Sequence, residues 1–466
     1  MLKNLTSKIT YGIRQIEEEI EKLRRKLEKA RKEKIELSPE LLNDPVIFAK
    51  QLLGFTPTFY QEKLLRDMSK RIVVRMSRQA GKTTTIAVKA IWFAVTHPKT
   101  LTLIIAPSKR QSMIMMDRIQ GFLMSLPSSL RRKLVYKMLR TVIYFKNGSQ
   151  IVALPCSVHL LRGYTAHMIL ADEAAFFRDD ETIFYSVLYP MLSTTDGWLI
   201  VSSTPWGKNS VFYRMNQDPN FSKHVVTWRD VVKSGLIKKE FIDEMRKQLP
   251  IERFKMEFEA EFIEDEDAWL KQDLLAKAID PDLEYVSFET QAKGTFYMGI
   301  DFGKHQDYSV ITVVRKDNDE TLRVVHVKRF PLETAYAAVI GYAKTLSERW
   351  KHIVKIYADV TGVGDYIVED MKRAGLNVEG IYFTTRVKEE MANYMKSLFE
   401  QGKLKIPYDP ELLAELNVEK FELTKDGHIK FYHPQGTHDD RFWSLALAVY
   451  ASKEEGAAIV RIKKVV

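Results

Sequence analysis

Val73-Val74-Arg75-Met76-Ser77-Arg78-Gln79-Ala80-Gly81-Lys82-Thr83-Thr84 is the stretch that decides the fold. The apolar run Ile72–Val74 predicts a buried strand, and Thr84–Ala94 has helical character. A short turn lies between them. Gly81-Lys82-Thr83 closes the phosphate-binding pattern G-x-x-x-x-G-K-[ST]. Met76 holds the place of its first glycine, so the loop entry is built without one. Backbone N–H groups at such a helix start point at phosphate oxygens, and the helix dipole favours negative charge there. On this reading Ser77, Arg78, Gln79, Ala80, Gly81, Lys82, Thr83 and Thr84 bind ATP. Lys82 reaches the β- and γ-phosphates, and the Thr83 hydroxyl ligates Mg²⁺. Arg78 is poorly placed for packing and well placed to stabilise a transferring phosphoryl group. The plainer alternative is an ordinary strand–turn–helix in which Gly81 eases a tight bend.

Downstream, the apolar strand Met168–Ala171 ends in Asp172-Glu173. That is the second half of an ATPase site: Asp172 holds the Mg²⁺ shell, and Glu173 orients and activates the attacking water. A further strand, Trp198–Ser203, runs into Thr204, where a polar group could sense the γ-phosphate. Upstream, Gln61 could read an adenine edge and Tyr60 could stack on the base; a helix start packing its aromatics fits those residues equally. Strands at Leu101–Ala106, Met168–Ala171 and Trp198–Ser203 alternate with helices, which indicates a mainly parallel, doubly wound α/β sheet. Asn147-Gly148 predicts a hairpin turn within 141–154. Residues 209–262 read as mainly helical, a lid or subdomain.

The second half repeats the logic with acids alone. Asp301 follows the apolar run Tyr297–Ile300, Asp359 ends Ile353–Ala358, and Asp439-Asp440 open the last helix. If those strands lie side by side, the carboxylates converge. Clustered carboxylates repel, so such a cluster suggests divalent cations. Two Mg²⁺ or Mn²⁺ ions would clamp a scissile phosphate. Asp307 and Asp365 are weaker candidates because turns favour Asp anyway. Three strands, a helix and then alternation is the layout of an RNase H-like nuclease.

The chain has 466 residues, enough for two or more domains. Its formal net charge of +10 favours a polyanionic partner. The single cysteine, Cys156, excludes an intramolecular disulfide and a cysteine-based metal site. No apolar run is long enough to span a membrane, and no signal peptide is expected. The expected organisation is a charged amphipathic helix over 1–44, an ATPase domain over 45–208 and a helical lid over 209–264. A linker over 265–292, a nuclease domain over 293–458 and a basic tail over 459–466 complete it.

Taken in order, these motifs resemble the large terminase subunit of tailed double-stranded DNA viruses. The match runs through Ser77–Thr83, Leu161-Arg162-Gly163, Ile169–Ala175 and Ser202–Pro205. It continues through Gly299–Gly303 with Gln306–Ser309, Ala358-Asp359 with Gly362–Asp365, and His438–Asp440. The resemblance implies a P-loop ATPase of the additional-strand catalytic-glutamate type joined to an RNase H-like endonuclease. It implies that Arg78 acts in cis, that Arg162 can act in trans, and that Thr204 couples hydrolysis to movement. It implies that Asp301, Asp359 and Asp439 hold the nuclease metals, with Asp440 assisting. The implied partners are double-stranded DNA, a portal protein and a small terminase subunit, with a homo-oligomeric ring, a pentamer, docked on a procapsid in the host cytoplasm. A helicase or repair NTPase fused to a nuclease is the alternative, although helicase motifs after Thr204 are incomplete.

Overall fold

The computed structural model describes residues 38–263, 267–303, 305, 307–423 and 428–453. The expected N-terminal helix up to residue 37, most of the acidic run at 264–267 and the basic tail lie outside the described residues. The strands are β1 (Arg71–Met76), β2 (Leu101–Ala106), β3 (Val135–Met138), β4 (Val142–Phe145), β5 (Gln150–Pro155), β6 (Met168–Asp172), β7 (Trp198–Ser203) and β8 (Ser222–Val226). They continue with β9 (Lys293–Asp301), β10 (Val310–Lys316), β11 (Leu322–Arg329), β12 (Lys351–Asp359), β13 (Val378–Ile381), β14 (Leu404–Lys405), β15 (Lys420–Leu423) and β16 (Ile429–Tyr432).

Contacts divide the chain into two compact units. One comprises residues up to Met68, Thr83–Thr102 and Ile114–Val152. The other comprises Ser69–Lys82, Leu103–Met113 and everything from Ala153. In the first, helix Phe59–Arg66 opens with a capping box between Thr58 and Gln61, whose Oε1 accepts the Thr58 N–H at 2.9 Å. Such a cap is worth about 1 kcal/mol. Antiparallel β3, β4 and β5 follow, and Val142 pairs with Val152. Their turn is Asn147-Gly148: Gly148 has φ 87, and the Asn147 Oδ1 accepts the Ser149 N–H at 3.0 Å.

In the second unit the strand neighbours run β2-β6-β7-β1-β8. β6 pairs parallel with β7, β7 with β1, and β1 with β8. β6 and β7 are buried along their whole length, which is why they read as unbroken apolar runs. Residues 209–262 are mainly helical, as expected, and β8 is the exception: Ser222–Val226 is a strand beside β1. It alternates half-buried and exposed positions up to the buried Val226 and carries Lys223 and His224, so no apolar run marks it.

A second sheet in the same unit has the order β13-β12-β9-β10-β11-β14. β9, β10 and β11 form an antiparallel meander, and β12 lies parallel to β9 on its other side. Helix Asp440–Ala451 is buried throughout and lies against β9, β10 and β12. Its closest approach is at Gly299. A Cβ there would run into the Ser444 carbonyl and the Ala448 amide, so only glycine fits. The expected linker over 265–292 is not structureless either. It holds helix Gln272–Ala278, which buries Leu275, Ala276 and Ala278. Two turns are too short for a periodic pattern to declare themselves.

Candidate functional site

Strand β1 delivers the chain to Ser77, whose N–H donates to the Val226 carbonyl at 2.7 Å. The loop then doubles back: Ala80 N–H donates to the Ser77 carbonyl at 3.1 Å, and Gln79 and Gly81 take φ of 61 and 78. Helix Lys82–Thr96 starts at once. Successive turn residues of this kind form a concavity for anions ahead of a helix N-terminus. Lys82 reaches across to the end of β6, where its Nζ lies 2.6 Å from Glu173 Oε1 and 3.4 Å from Asp172 Oδ1. Burial opposes the lysine charge, but Glu173 and Asp172 together outweigh it and hold Lys82 above the ordinary lysine value.

The register of β6 on β7 places Asp172 opposite Ser202. Ser202 Oγ donates to Asp172 Oδ1 at 2.7 Å, while Asp172 Oδ2 is buried without a partner. Glu173 turns out of the strand in the left-handed region, φ 52 and ψ 42. For a residue with a side chain that conformation is strained, and it is a hallmark of functional positions. Its Oε2 accepts the Ser203 hydroxyl at 3.2 Å and the Thr204 N–H at 3.1 Å. Thr204 therefore touches Glu173 through its backbone.

Arg78 points elsewhere. Its N–H donates to the Glu257 carbonyl at 2.6 Å, and Nη1 lies 2.8 Å from Glu257 Oε2. Arg253 holds the other oxygen of Glu257, Nε to Oε1 at 3.0 Å. Arg162 is exposed, after a short helix, Val158–Leu161. In the other unit, Gln61 spends its carbonyl oxygen on the helix cap already described, and Thr84 Oγ1 accepts from Arg118 at 2.9 Å. Thr83 is the second residue of helix Lys82–Thr96.

The second cluster sits where β9, β12 and the last helix meet. Pairing of Ala358 with Ile300 sets Asp359 and Asp301 at neighbouring strand ends. Asp359 Oδ1 accepts the Thr361 N–H at 2.9 Å and the Thr361 hydroxyl at 2.5 Å. Asp439 Oδ2 accepts the Trp443 indole N–H at 2.8 Å. Asp440 is 3% exposed; its Oδ2 is buried without a hydrogen bond, with His438 Nδ1 3.8 Å away. Burial, and then Asp359, Asp440 and Asp439, push Asp301 well above the ordinary carboxylate range. Burial raises Asp359 too, against the pull of Thr361 and Lys388. Burial with Glu415 and Asp439 pushes Asp440 up to about 8. These acids thus feel one another's charge. Among the described residues no three His, Cys, Asp or Glu groups close round one point tightly enough to hold an ion as they stand.

Asp307 acts on Asp440 and His438 through its charge, whereas Asp365 accepts the Tyr382 hydroxyl at 2.6 Å. Four functional neighbours escaped the sequence reading. Glu257 is the partner of Arg78. Tyr408, half-buried, is pushed well above the ordinary tyrosine value by burial and then by Glu173 and Asp172. Glu415 binds Arg441 Nη1 at 2.7 Å beside Asp440. Glu419 is 1% exposed and faces Asp439. Glu415 and Glu419 sit one helical turn apart around the end of helix Pro410–Val418, and that i, i+4 spacing was the available signal.

Two family models match this chain. One is the terminase large subunit, T4likevirus-type, N-terminal, over residues 74–277; the other is the terminase RNaseH-like domain, over 298–451. The large terminase subunit of Thermus virus P23-45 is 28% identical over 438 residues, spanning 85% of this chain and 88% of that protein. Among solved structures, the large terminase nuclease of the thermophilic phage G20c is 27% identical over 40% of this chain and 98% of that one, with a TM-score of 0.35. The large terminase ATPase domain of Thermus phage P74-26 is 25% identical over 47% of this chain and 99% of that one, with a TM-score of 0.42. A phosphate-loop ATPase and an RNase H-like nuclease in one chain define the class. The chain belongs to the large terminase subunits, the ATPase–nucleases of viral DNA packaging.

Proposed function

We propose that this chain hydrolyses ATP at Lys82, Asp172 and Glu173 to drive double-stranded DNA into a procapsid, and cuts that DNA at Asp301, Asp359, Asp439 and Asp440. One observation carries the reading. A single chain holds a lysine-neutralised carboxylate pair beside a phosphate-type loop, and a separate nest of mutually raised carboxylates. The first suits a bound nucleotide, the second a phosphodiester.

At the ATPase centre Ser77–Thr84 wrap the phosphates, and Gln61 contacts the base. Lys82 exchanges Glu173 for a phosphate oxygen, which frees Glu173 to hold and deprotonate water. The orphaned Asp172 Oδ2 fits a Mg²⁺ ion, which would supply charge neutralisation at the β- and γ-phosphates; the phosphate-loop pattern assigns a Mg²⁺-ligating role to the Thr83 hydroxyl. Arg78 leaves Glu257 to act in cis, and the exposed Arg162 serves a neighbouring subunit. Thr204 reports the state of Glu173 to the chain beyond β7. At the nuclease centre the raised acids and the orphaned Asp440 Oδ2 fit two Mg²⁺ or Mn²⁺ ions, which would polarise the scissile phosphate and stabilise its leaving oxygen. Asp301, Asp359 and Asp439 hold that pair, and Asp440 orients it.

The working assembly is a ring of five copies on a portal protein in the host cytoplasm, with a small terminase subunit selecting the DNA. The domains are 45–208 for the ATPase, 209–264 for the lid and 293–458 for the nuclease, joined by 265–292. Among the described residues no helix is long and apolar enough to cross a membrane. The test is a packaging assay with purified empty capsids and linear DNA, with ATP turnover followed in parallel. Stimulation by a portal ring and DNA uptake support the motor. Stimulation by a forked duplex with no uptake supports a helicase-type enzyme instead.

A further inference from the structure

Helix Thr385–Glu400 begins at the capping residue Thr384 and places Lys388 in its opening turn. A cation there sits at the wrong end of the helix dipole, so something else must hold it. Two aromatic rings do so in part: Lys388 Nζ lies 4.2 Å from the Trp443 ring centroid and 5.2 Å from that of Phe383. The positive charge of Lys388 acts on Asp301, Asp359 and Glu419 together. Trp443, beneath that charge, also donates its indole N–H to Asp439. One lysine thus lies on the ring that holds Asp439 and acts on three further carboxylates through its charge, without an ion-pair contact to any of them.

Glu419 completes the arrangement. Its carbonyl accepts the Trp269 N–H at 2.7 Å, which pins the backbone where the chain leaves helix Pro410–Val418. The side chain is 1% exposed, its Oε2 is buried without a partner, and it faces Asp439. A buried, half-satisfied carboxylate against a second carboxylate is costly unless a cation balances it. Among the described residues, the cation whose charge lowers Glu419 is Lys388. Phe421 and Phe431 close on Trp269 from the next two strands, at 5.3 and 5.0 Å between ring centroids, so this wall of the centre is fixed by packing.

We infer that Lys388 is the built-in counter-cation of the nuclease centre and Glu419 its further, positioning carboxylate, so that the lysine and divalent metal compete for one nest of acids. The inference rests on the nuclease reading above and deepens it. Before metal arrives, the lysine keeps the acids together. When metal enters, the ammonium gives up its carboxylates and is free to meet a DNA phosphate. Glu419 holds Asp439 in place throughout.

The experiment measures Mg²⁺ binding to the full chain by titration calorimetry, together with the Mg²⁺-induced rise in melting temperature. Removing the competing charge in Lys388→Met should tighten Mg²⁺ binding on the order of tenfold. Its melting temperature should drop in chelator and recover more steeply with Mg²⁺ than that of wild type. Lys388→Arg keeps the charge and should keep wild-type affinity. Glu419→Gln should weaken Mg²⁺ binding by roughly tenfold or more, as loss of a group that positions a metal ligand does. Unchanged or weaker Mg²⁺ binding in folded Lys388→Met overturns the inference, because then no competition exists. Unchanged binding in folded Glu419→Gln removes the glutamate's part. Failure of the underlying reading looks different: wild type itself would bind no Mg²⁺ and cut no plasmid, and the inference would fall with it.

Discussion

The two centres of this chain solve opposite electrostatic problems with similar residues. At the ATPase centre two strand-end acids face a lysine, so Lys82, Asp172 and Glu173 nearly cancel before any ligand arrives. At the nuclease centre the acids outnumber their cation, and Asp301, Asp359 and Asp440 are all pushed up. The first arrangement is balanced as it stands, because its lysine already neutralises the two acids. The second stores repulsion that a divalent ion relieves. Nucleotide therefore has to displace an internal partner, whereas metal is drawn in.

Separability of the centres is the most exposed part of that contrast. Asp301→Asn should lower plasmid cleavage on the order of a thousandfold or more while leaving ATP turnover unchanged, and Lys82→Ala should do the reverse. Cleavage and turnover measured on the same preparations, with melting curves, check this; parallel loss of both activities in either folded variant would break the comparison. Glu173→Gln should come next, with turnover reduced on the order of a hundredfold and ATP still bound. Fluorescent-nucleotide binding beside turnover would show it, and near wild-type turnover would remove Glu173 as base.

The third expectation is a pH dependence with a definite sign. Asp440 titrates near 8 in the folded chain against 3.8 for a free carboxyl, and Asp301 and Asp359 shift the same way. Raised folded values mean that the folded state binds more protons than the unfolded one in that window. The metal-free protein should therefore lose stability as pH rises from about 4 to about 8, by several degrees in Tm. Mg²⁺ should flatten the slope, and so should Asp440→Asn. A Tm that climbs with pH in chelator across that range would contradict the charge imbalance. The smallest effect concerns Arg78. The Arg78 side chain is more than half exposed although Glu257 is not, so Glu257→Gln should alter the KM for ATP only about two- to fivefold, downward, by releasing the arginine. A rise in KM would mean that Glu257 positions Arg78 for its task instead of holding it back.

How much of this could be read in the amino-acid order depends on where the information sits. β2 and β7 matched their runs residue for residue because near-complete burial leaves no charged residue within them. The P-loop, Asp172-Glu173 and the strand-end Asp301 and Asp359 could be singled out because their spacing to a strand is short, and Asp439-Asp440 because they open a helix. β8 could not, because an edge strand alternates and its partner β1 is remote in sequence. Glu257, Tyr408 and Glu419 were not legible either. Each gains its meaning from a neighbour far along the chain, and each looks like an ordinary surface-type or core-type residue in its own segment. The idle posture of Arg78, turned to Glu257, is likewise a tertiary fact.

Gly299 has a consequence for how this enzyme tolerates change. The helix that begins with Asp440 rests on β9 backbone to backbone, with a hydrogen atom where any other residue would insert a carbon. Asp301 lies two residues along the same strand. The spacing between the acids of the strand and those of the helix is thereby gauged against main chain, like a part machined to a datum face. Leu445, Leu447 or Val449 could be exchanged for other apolar side chains, and the core would absorb the difference without moving that reference. Gly299→Ala, a change of one methyl, would lift the helix off its seat and spread the acids. The smallest residue in the nuclease is the one that fixes its dimensions.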